Sequence, residues 1–265
     1  MNKNQDQIIK EYKKKILLIK KHNEHYHGKD APKISDSDYD NIRNEVLRLE
    51  QKFSFLKKFG SISKLVGTKP SNKFKKIKHL KPMLSLSNAF NKDDMKDFLS
   101  KIRNFLNNKN LNIEFLTEPK IDGISASLTY KKGLLVQGLS RGDGIIGEDI
   151  LQNLITIKGI PKKITGKNIP EILEIRGEVY IGKKDFQTIK NNFANPRNAA
   201  GGTLRQKNSK ETAKIPLKYL AYGFGIVEPM IFKTQFEFIN KIKSWGFSVN
   251  SNNKTVEGLE EIERQ

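Results

Sequence analysis

Glu118-Pro119-Lys120-Ile121-Asp122-Gly123 is the run with the clearest chemistry in this chain. A lysine just ahead of Asp-Gly, at the end of a β-rich segment, suits a covalent nucleotidyl carrier. Its amine attacks an α-phosphate and then holds the nucleotide as a phosphoramidate. The tetrapeptide K-x-D-G arises by chance in roughly one chain in twenty of this length. The competing reading is a surface lysine before an Asp-Gly turn, so the case rests on what accompanies the run. The chemistry also makes a demand. A lysine attacks only when neutral, against an ordinary pKa of ~10.4. A carboxylate such as Glu118 pushes that value up, so the lowering has to come from a cation or from desolvation.

Other residues repay the same scrutiny. Asp36, Tyr39 and Asp40 stand at i, i+3 and i+4 and share one helix face, with Tyr26 and His27 ending the helix before it. Aromatics and carboxylates suit a positively charged ring; for Tyr39 alone, core packing is the plainer reading. Arg197 and Arg205 flank a Gly/Ala-rich stretch, where small residues let the backbone approach a ligand and arginine can fork a phosphate. The alternative is a pair of structural arginines. Gly142-Asp143-Gly144-Ile145-Ile146-Gly147 matches G-x-G-x-x-G, yet it follows the second arm of a hairpin, and Asp143 would set a carboxylate where a pyrophosphate must come. A Gly-rich turn explains it better than a Rossmann fold. His22, His25 and His27 cluster without H-x-x-x-H spacing and read as surface or nucleotide contacts, not a metal site.

The elements that must position these residues are legible in outline. Apolar spacing predicts a helix over 5–27, including Ile8, Ile9, Tyr12, Ile16, Leu17 and Ile19. Ser35 with Asp38 resembles a capping box that opens a second helix to about Phe53. Residues 60–82, rich in Lys, Gly and Pro, read as a linker with a domain boundary near 65, giving units 1–65 and 66–265. A helix is expected over 92–107, and strands over 113–118, 125–130, 134–139, 172–181 and 218–226, with Lys131-Lys132-Gly133 as a hairpin turn. Helices are expected near 148–155, 183–192 and 233–244, and 255–265 starts like another. Strands and helices do not alternate strictly, which predicts an α+β fold: a small helical domain, then antiparallel sheets with flanking helices.

Composition narrows the class. Among 265 residues, 49 Lys+Arg face 29 Asp+Glu, a net charge of +20, which favours a polyanionic partner such as nucleic acid. Heavy use of Lys, Asn and Ile offers a competing explanation in compositional drift. There is no cysteine, which excludes disulfides, thiolate zinc sites and cysteine catalysis and fits a cytoplasmic protein. No apolar run approaches ~20 residues and the start lacks a signal h-region, so no membrane role is expected.

Six stretches carry a family resemblance: Tyr26-His27 with Ile34 to Asp40; Pro82 to Asn88; Glu118 to Gly123; Ser140 to Gly144 with Gly147-Glu148-Asp149; Glu174 to Val179; and Phe193 to Gln206. In this order they resemble the NAD-dependent DNA ligases of bacteria, covering the N-terminal small domain and most of the adenylation (nucleotidyltransferase) domain. The resemblance implies that Lys120 attacks the adenylyl phosphorus of NAD and expels nicotinamide mononucleotide (NMN). The resulting ligase-AMP serves the sealing of nicks in double-stranded DNA during replication and repair. It implies an adenosine pocket with Glu118 near the base, Ser85 and Leu86 along one wall, and Arg141 and Glu178 near ribose and phosphate. Asp122 and Glu178 would hold Mg²⁺ or Mn²⁺; Tyr26, His27, Asp36, Tyr39 and Asp40 would grip nicotinamide; Arg197 and Arg205 would serve the nicked DNA. A monomer is implied, with no zinc in this chain. Family ligases carry a further α-phosphate-binding lysine in a D-G-x-V-x-K type strand, which has no counterpart here. A fragment that cannot complete nick sealing alone is therefore expected. The alternative is a non-catalytic NAD- or DNA-binding remnant. An ATP-using RNA ligase or capping-type transferase fits less well, because it would have no nicotinamide for Tyr26, Tyr39 and Asp40 to grip.

Overall fold

The computed structural model describes residues 3–23, 34, 36–61, 74–108 and 111–264. The first helix, α1 (Lys3–Asn23), and the second, α2 (Asp36–Lys52), pack together with a 3₁₀ turn, Ser54–Phe59. Their core is a helical stripe of Ile9, Tyr12, Ile16 and Ile19 against Val46 and Leu56. Leu17 does not join that stripe and is 69% exposed, a position one step round the helix from Ile16. The Tyr12 hydroxyl, fully buried, lies 2.7 Å from Glu50 Oε1 and 2.5 Å from the Gly60 carbonyl, pinning the chain after α2 to α1. Ser35, expected to cap α2, lies outside the described residues, as do Tyr26 and His27.

The rest of the described chain is built on antiparallel sheets. Its elements run β1 (Lys76–Lys78), α3 (Lys92–Phe105), β2 (Glu114–Thr117), β3 (Ile124–Lys131), β4 (Leu134–Ser140) and β5 (Ile146–Glu148). There follow α4 (Leu151–Leu154), β6 (Ile172–Ile181), α5 (Lys183–Gln187), α6 (Pro196–Leu204) and α7 (Ser209–Ala213). The last are β7 (Leu217–Glu228), α8 (Gln235–Ser244), β8 (Lys254–Glu257) and α9 (Gly258–Glu263). A four-stranded sheet has the order β4-β3-β6-β7, and the pairs β1-β5 and β2-β8 form two smaller sheets. The β3–β4 turn takes positive φ at Lys132 and Gly133, the pattern that matches hairpin twist.

Strand β6 is buried on both faces, and its alternation separates core from chemistry. Leu173, Ile175, Val179 and Ile181 enter the apolar core with Leu128, Tyr130, Leu154, Tyr219 and Phe238. Glu174, Arg176 and Glu178 fall on the opposite face. Gly177 sits among the core residues because the ring of Tyr219 crosses it, where a Cβ would collide with the ring and with the Leu220 carbonyl.

Two expectations need correction. Residues 74–82 are not a loose linker: Lys76–Lys78 pair with Ile146–Glu148, and His79 is 5% exposed. Residues 254–257 are not helical: they pair in register with Glu114–Thr117, and the helix begins only at Gly258.

Candidate active-site cleft

A cleft of about 810 Å³ opens over the Glu174–Arg176–Glu178 face of β6. Its floor and sides come from separate parts of the chain. The link between β2 and β3 brings Glu118 and Lys120; the strap between β1 and α3 brings Ser85 and Leu86; the end of β4 brings Arg141; β6 brings Glu178; α6 brings Arg197; and α2 contributes Tyr39. Most of the residues named from sequence thus line one space.

Local structure explains the placements. The β3–β6 register sets Ser125 opposite Glu178, and Ser125 Oγ donates to Glu178 Oε2 at 2.8 Å. Gly123 has no room for a side chain, because a Cβ would strike the Val179 carbonyl and stand 2.9 Å from Glu178 Cγ. That close approach draws the Lys120–Asp122 segment against the Glu178 side of β6. Gly142 and Gly144 take positive φ in the turn after β4, and Asp143 Oδ1 accepts from the backbone of Ile145 and Ile146 at 2.9 and 2.7 Å. The G-x-G-x-x-G run is therefore a self-bonded turn, not a phosphate cradle. It directs Arg141 inward, where Arg141 Nη2 donates to Ser85 Oγ at 2.8 Å. At α6, Asn195 caps Asn198 N at 2.8 Å and Pro196 takes the first helical position, while Ala199, Ala200 and Gly201 are buried. Those small residues let α6 lie against β6, with Arg197 in its first turn reaching Asp122 at 3.2 Å.

The electrostatics concentrate charge. Burial is the main effect at Glu178 and raises its pKa, while the Ser125 hydrogen bond and the charges of Arg197 and Lys120 pull it back. Glu118 is exposed at its edge, yet desolvation raises its pKa, opposed by hydrogen bonds from Asn253 and Gln235. Burial lowers the pKa of Arg141, with Arg197 and Arg43 contributing in the same direction. Its Nε has no hydrogen-bond partner among the described residues. Several cations facing one partly buried space form a site for an anion.

Some expected residues fall elsewhere. Arg205 is outside the cleft lining, and its Nε sits 3.5 Å from Glu148 Oε2, whose side chain is 2% exposed. Asp36 and Asp40 belong to α2, but their side chains lie outside the described residues, with Tyr26 and His27. Other lining residues had no role in the sequence reading: Arg43, Arg176, Tyr222, Gln235 and Asn253. Arg176 stood inside a quoted stretch and Tyr222 inside an expected strand; Gln235 and Asn253 carried no signal of a shared partner.

Among the described residues no cluster of three or more His, Cys, Asp or Glu could hold a metal ion. Of the two carboxylates expected to hold a cation, Glu178 lines the cleft, whereas Asp122 lies outside its lining, exposed and paired with Arg197 at 3.2 Å; the two donors suit Mg²⁺, which takes one or two carboxylates and completes its shell with water and substrate phosphate. No described helix is long and apolar enough to cross a membrane.

Comparison with known proteins agrees with this geometry. Residues 71–265 match the family model described as the NAD-dependent DNA ligase adenylation domain. Residues 5–67 match the DNA ligase-like, N-terminal NAD+-binding domain. The chain is 54% identical over 253 residues to a DNA ligase of Pelagibacter ubique, covering 95% of this chain and 37% of that protein. It is 46% identical to DNA ligases of Rickettsia massiliae and Rickettsia bellii, covering 98% of this chain and 38% and 39% of theirs. The chain thus spans under two fifths of the length of these curated relatives.

Proposed function

The chain belongs to the NAD-dependent DNA ligase family, and we propose that its cleft performs that family's adenylyl transfer. Lys120 Nζ attacks the adenylyl phosphorus of NAD. An N–P bond forms, the P–O bond to NMN breaks, NMN leaves with the electron pair, and the lysine proton is lost to solvent. The observation that carries this reading is the convergence in one cleft of Lys120 and Glu118, from the β2–β3 link, with Ser85, Arg141, Glu178 and Arg197, each from a different segment. Glu118 takes the base; Arg141 and Arg197 offset charge on the phosphates. Tyr39, with Asp36 and Asp40 on the same helix, serves the nicotinamide end. Bound at Asp122 and Glu178, Mg²⁺ or Mn²⁺ would supply charge neutralisation at the transferring phosphate. Ligase-AMP then serves nick sealing in double-stranded DNA in the cytoplasm, during replication and repair, with Arg205 toward the DNA. Residues 1–65 and 66–265 form its two domains.

The test is mass spectrometry of the chain after incubation with NAD and Mg²⁺. AMP mass on Lys120 is expected. AMP on another lysine, or equal use of ATP, overturns the reading. Tight NAD binding without an adduct points to the non-catalytic remnant instead.

The raised pKa of Glu178 adds a pH signature. Its folded value lies above the ordinary ~4.3. Its contribution to stability is therefore present at low pH and lost as pH rises through the folded value. Cation binding runs the other way, because it needs the carboxylate. Divalent-ion dependence of adenylyl transfer is expected to weaken on acidification, because protonation of Glu178 competes with the cation. A pH–rate profile in which Glu178→Gln keeps that limb unchanged would refute the assignment.

A further inference from the structure

His79 is a buried histidine that adenylyl transfer, as described above, leaves without a task. It follows β1 directly, ahead of the strap that carries Ser85 and Leu86, and is 5% exposed. It meets the turn after β4 at separate points. Its backbone N–H donates to the Ile145 carbonyl at 2.9 Å. Its ring stands against Gly147, where a Cβ would lie 2.9 Å from Nε2. Nε2 itself is 3.1 Å from the Arg141 carbonyl.

The chemistry of the ring fixes the sense of that last bond. Burial lowers the imidazole's pKa, so the ring is neutral at pH 7 and has one N–H. A carbonyl oxygen only accepts, which puts the hydrogen on Nε2. Nδ1 is then a lone pair, buried and with no hydrogen-bond partner among the described residues.

The acceptor belongs to the residue whose guanidinium enters the cleft. Arg141 N–H donates to the Ser125 carbonyl at 3.2 Å, and the Arg141 carbonyl also accepts from Gly144 N–H at 3.0 Å. With the imidazole in place, both lone pairs of that carbonyl are used. The guanidinium closes the circuit, since Nη2 donates to Ser85 Oγ at 2.8 Å, on the strap that His79 begins. Met83 N–H, donating to the Gly144 carbonyl at 2.8 Å, ties strap and turn again. The backbone ties are open to any sequence. The imidazole tie requires a donor at residue 79 that reaches the Arg141 peptide.

We infer that His79 is a positioning residue for adenylyl transfer: its Nε2–H holds the Arg141 peptide so that the guanidinium meets the dinucleotide phosphates beside Ser85. The inference rests on the adenylyl-transfer reading above and adds the residue that sets one of its cations. His79 lies outside the six stretches that carry the family resemblance, in a segment that reads as linker by composition.

The experiment is calorimetric titration of NAD into the wild-type chain, His79→Gln and His79→Met, and into each His79 form combined with Arg141→Met. Glutamine and methionine have similar length and flexibility, but only glutamine carries a donor near the place of Nε2. His79→Met is expected to weaken NAD about tenfold, the scale of one buried hydrogen bond left unmade. His79→Gln is expected to stay within about threefold of wild type. In the Arg141→Met background, His79→Met is expected to cost less than about twofold more, because its effect passes through Arg141. Thermal melting confirms that each titrated chain is folded. Should methionine abolish folding, His79→Asn, whose amide stops one carbon short of the Arg141 carbonyl, takes its place with the same expectations. A role confined to filling space would make glutamine and methionine equivalent, which overturns the inference. So does a full tenfold loss on top of Arg141→Met. If the folded wild type binds no NAD, the adenylyl-transfer reading fails and this inference with it; if it binds NAD and His79→Met binds as well, this inference alone fails.

Discussion

Lys120→Arg is expected to abolish AMP transfer from NAD, by at least ~10⁴-fold, while NAD affinity stays within about threefold. The two halves of that result have different causes. Arginine keeps the positive charge beside Glu178 and Arg197, so attraction for the dinucleotide phosphates survives. It has no accessible neutral form, so it offers no lone pair to phosphorus. Lys120→Ala removes both and is expected to weaken binding as well. Intact-mass measurement reads the adduct and calorimetric titration reads the affinity. An adduct that persists in the arginine variant moves the nucleophile elsewhere. Loss of binding alongside the adduct would make Lys120 a phosphate anchor, and the covalent reading would fall.

The placement of the Lys120 segment in the cleft was readable because its demands are local. Gly123 has to be glycine to pass β6, and the Asp-Gly pair ends the link to β3 within four residues of Lys120. The turn after β4 was readable for the same reason, since Asp143 satisfies its own backbone. What escaped depends on contacts distant in sequence. Lys76–Lys78 look like linker by composition, and only pairing with Ile146–Glu148 makes them a strand. Residues 254–257 are too few to show a period, and β2, well over a hundred residues earlier, decides their conformation. Strand β6 shows the limit in one element. Its apolar half signals a core, but the partners of Glu174 and Arg176 become evident only when the strap from residue 81 folds across them. Asn253 is an ordinary polar residue in a turn until the fold brings its amide within 2.8 Å of Glu118.

Arg176→Ala is the substitution expected to cost most stability, about 3–5 kcal/mol. Arg176 Nε pairs with Glu174 Oε1 at 2.9 Å, and the Glu174 side chain is only 2% exposed. Its other oxygen already lacks a partner among the described residues. Without the guanidinium, a charge would stand uncompensated between strands, and it has nowhere to go, because Gly225 approaches so closely that a Cβ there would collide with the carboxylate. A loss of that size is a large share of the ~5–15 kcal/mol that holds a typical domain. Arg176 has a second task. Its Nη1 donates to the Pro82 carbonyl at 3.0 Å and its Nη2 to the Lys81 carbonyl, anchoring the strap that carries Ser85 and Leu86 into the cleft. The double variant Glu174→Leu, Arg176→Met separates the two tasks. It buries no unpaired charge, so urea unfolding is expected to recover most of the lost stability. It still leaves the strap without its two anchoring bonds, so NAD affinity is expected to stay about tenfold weak. Recovery of both together would confine Arg176 to charge pairing; recovery of neither would place its main effect in packing.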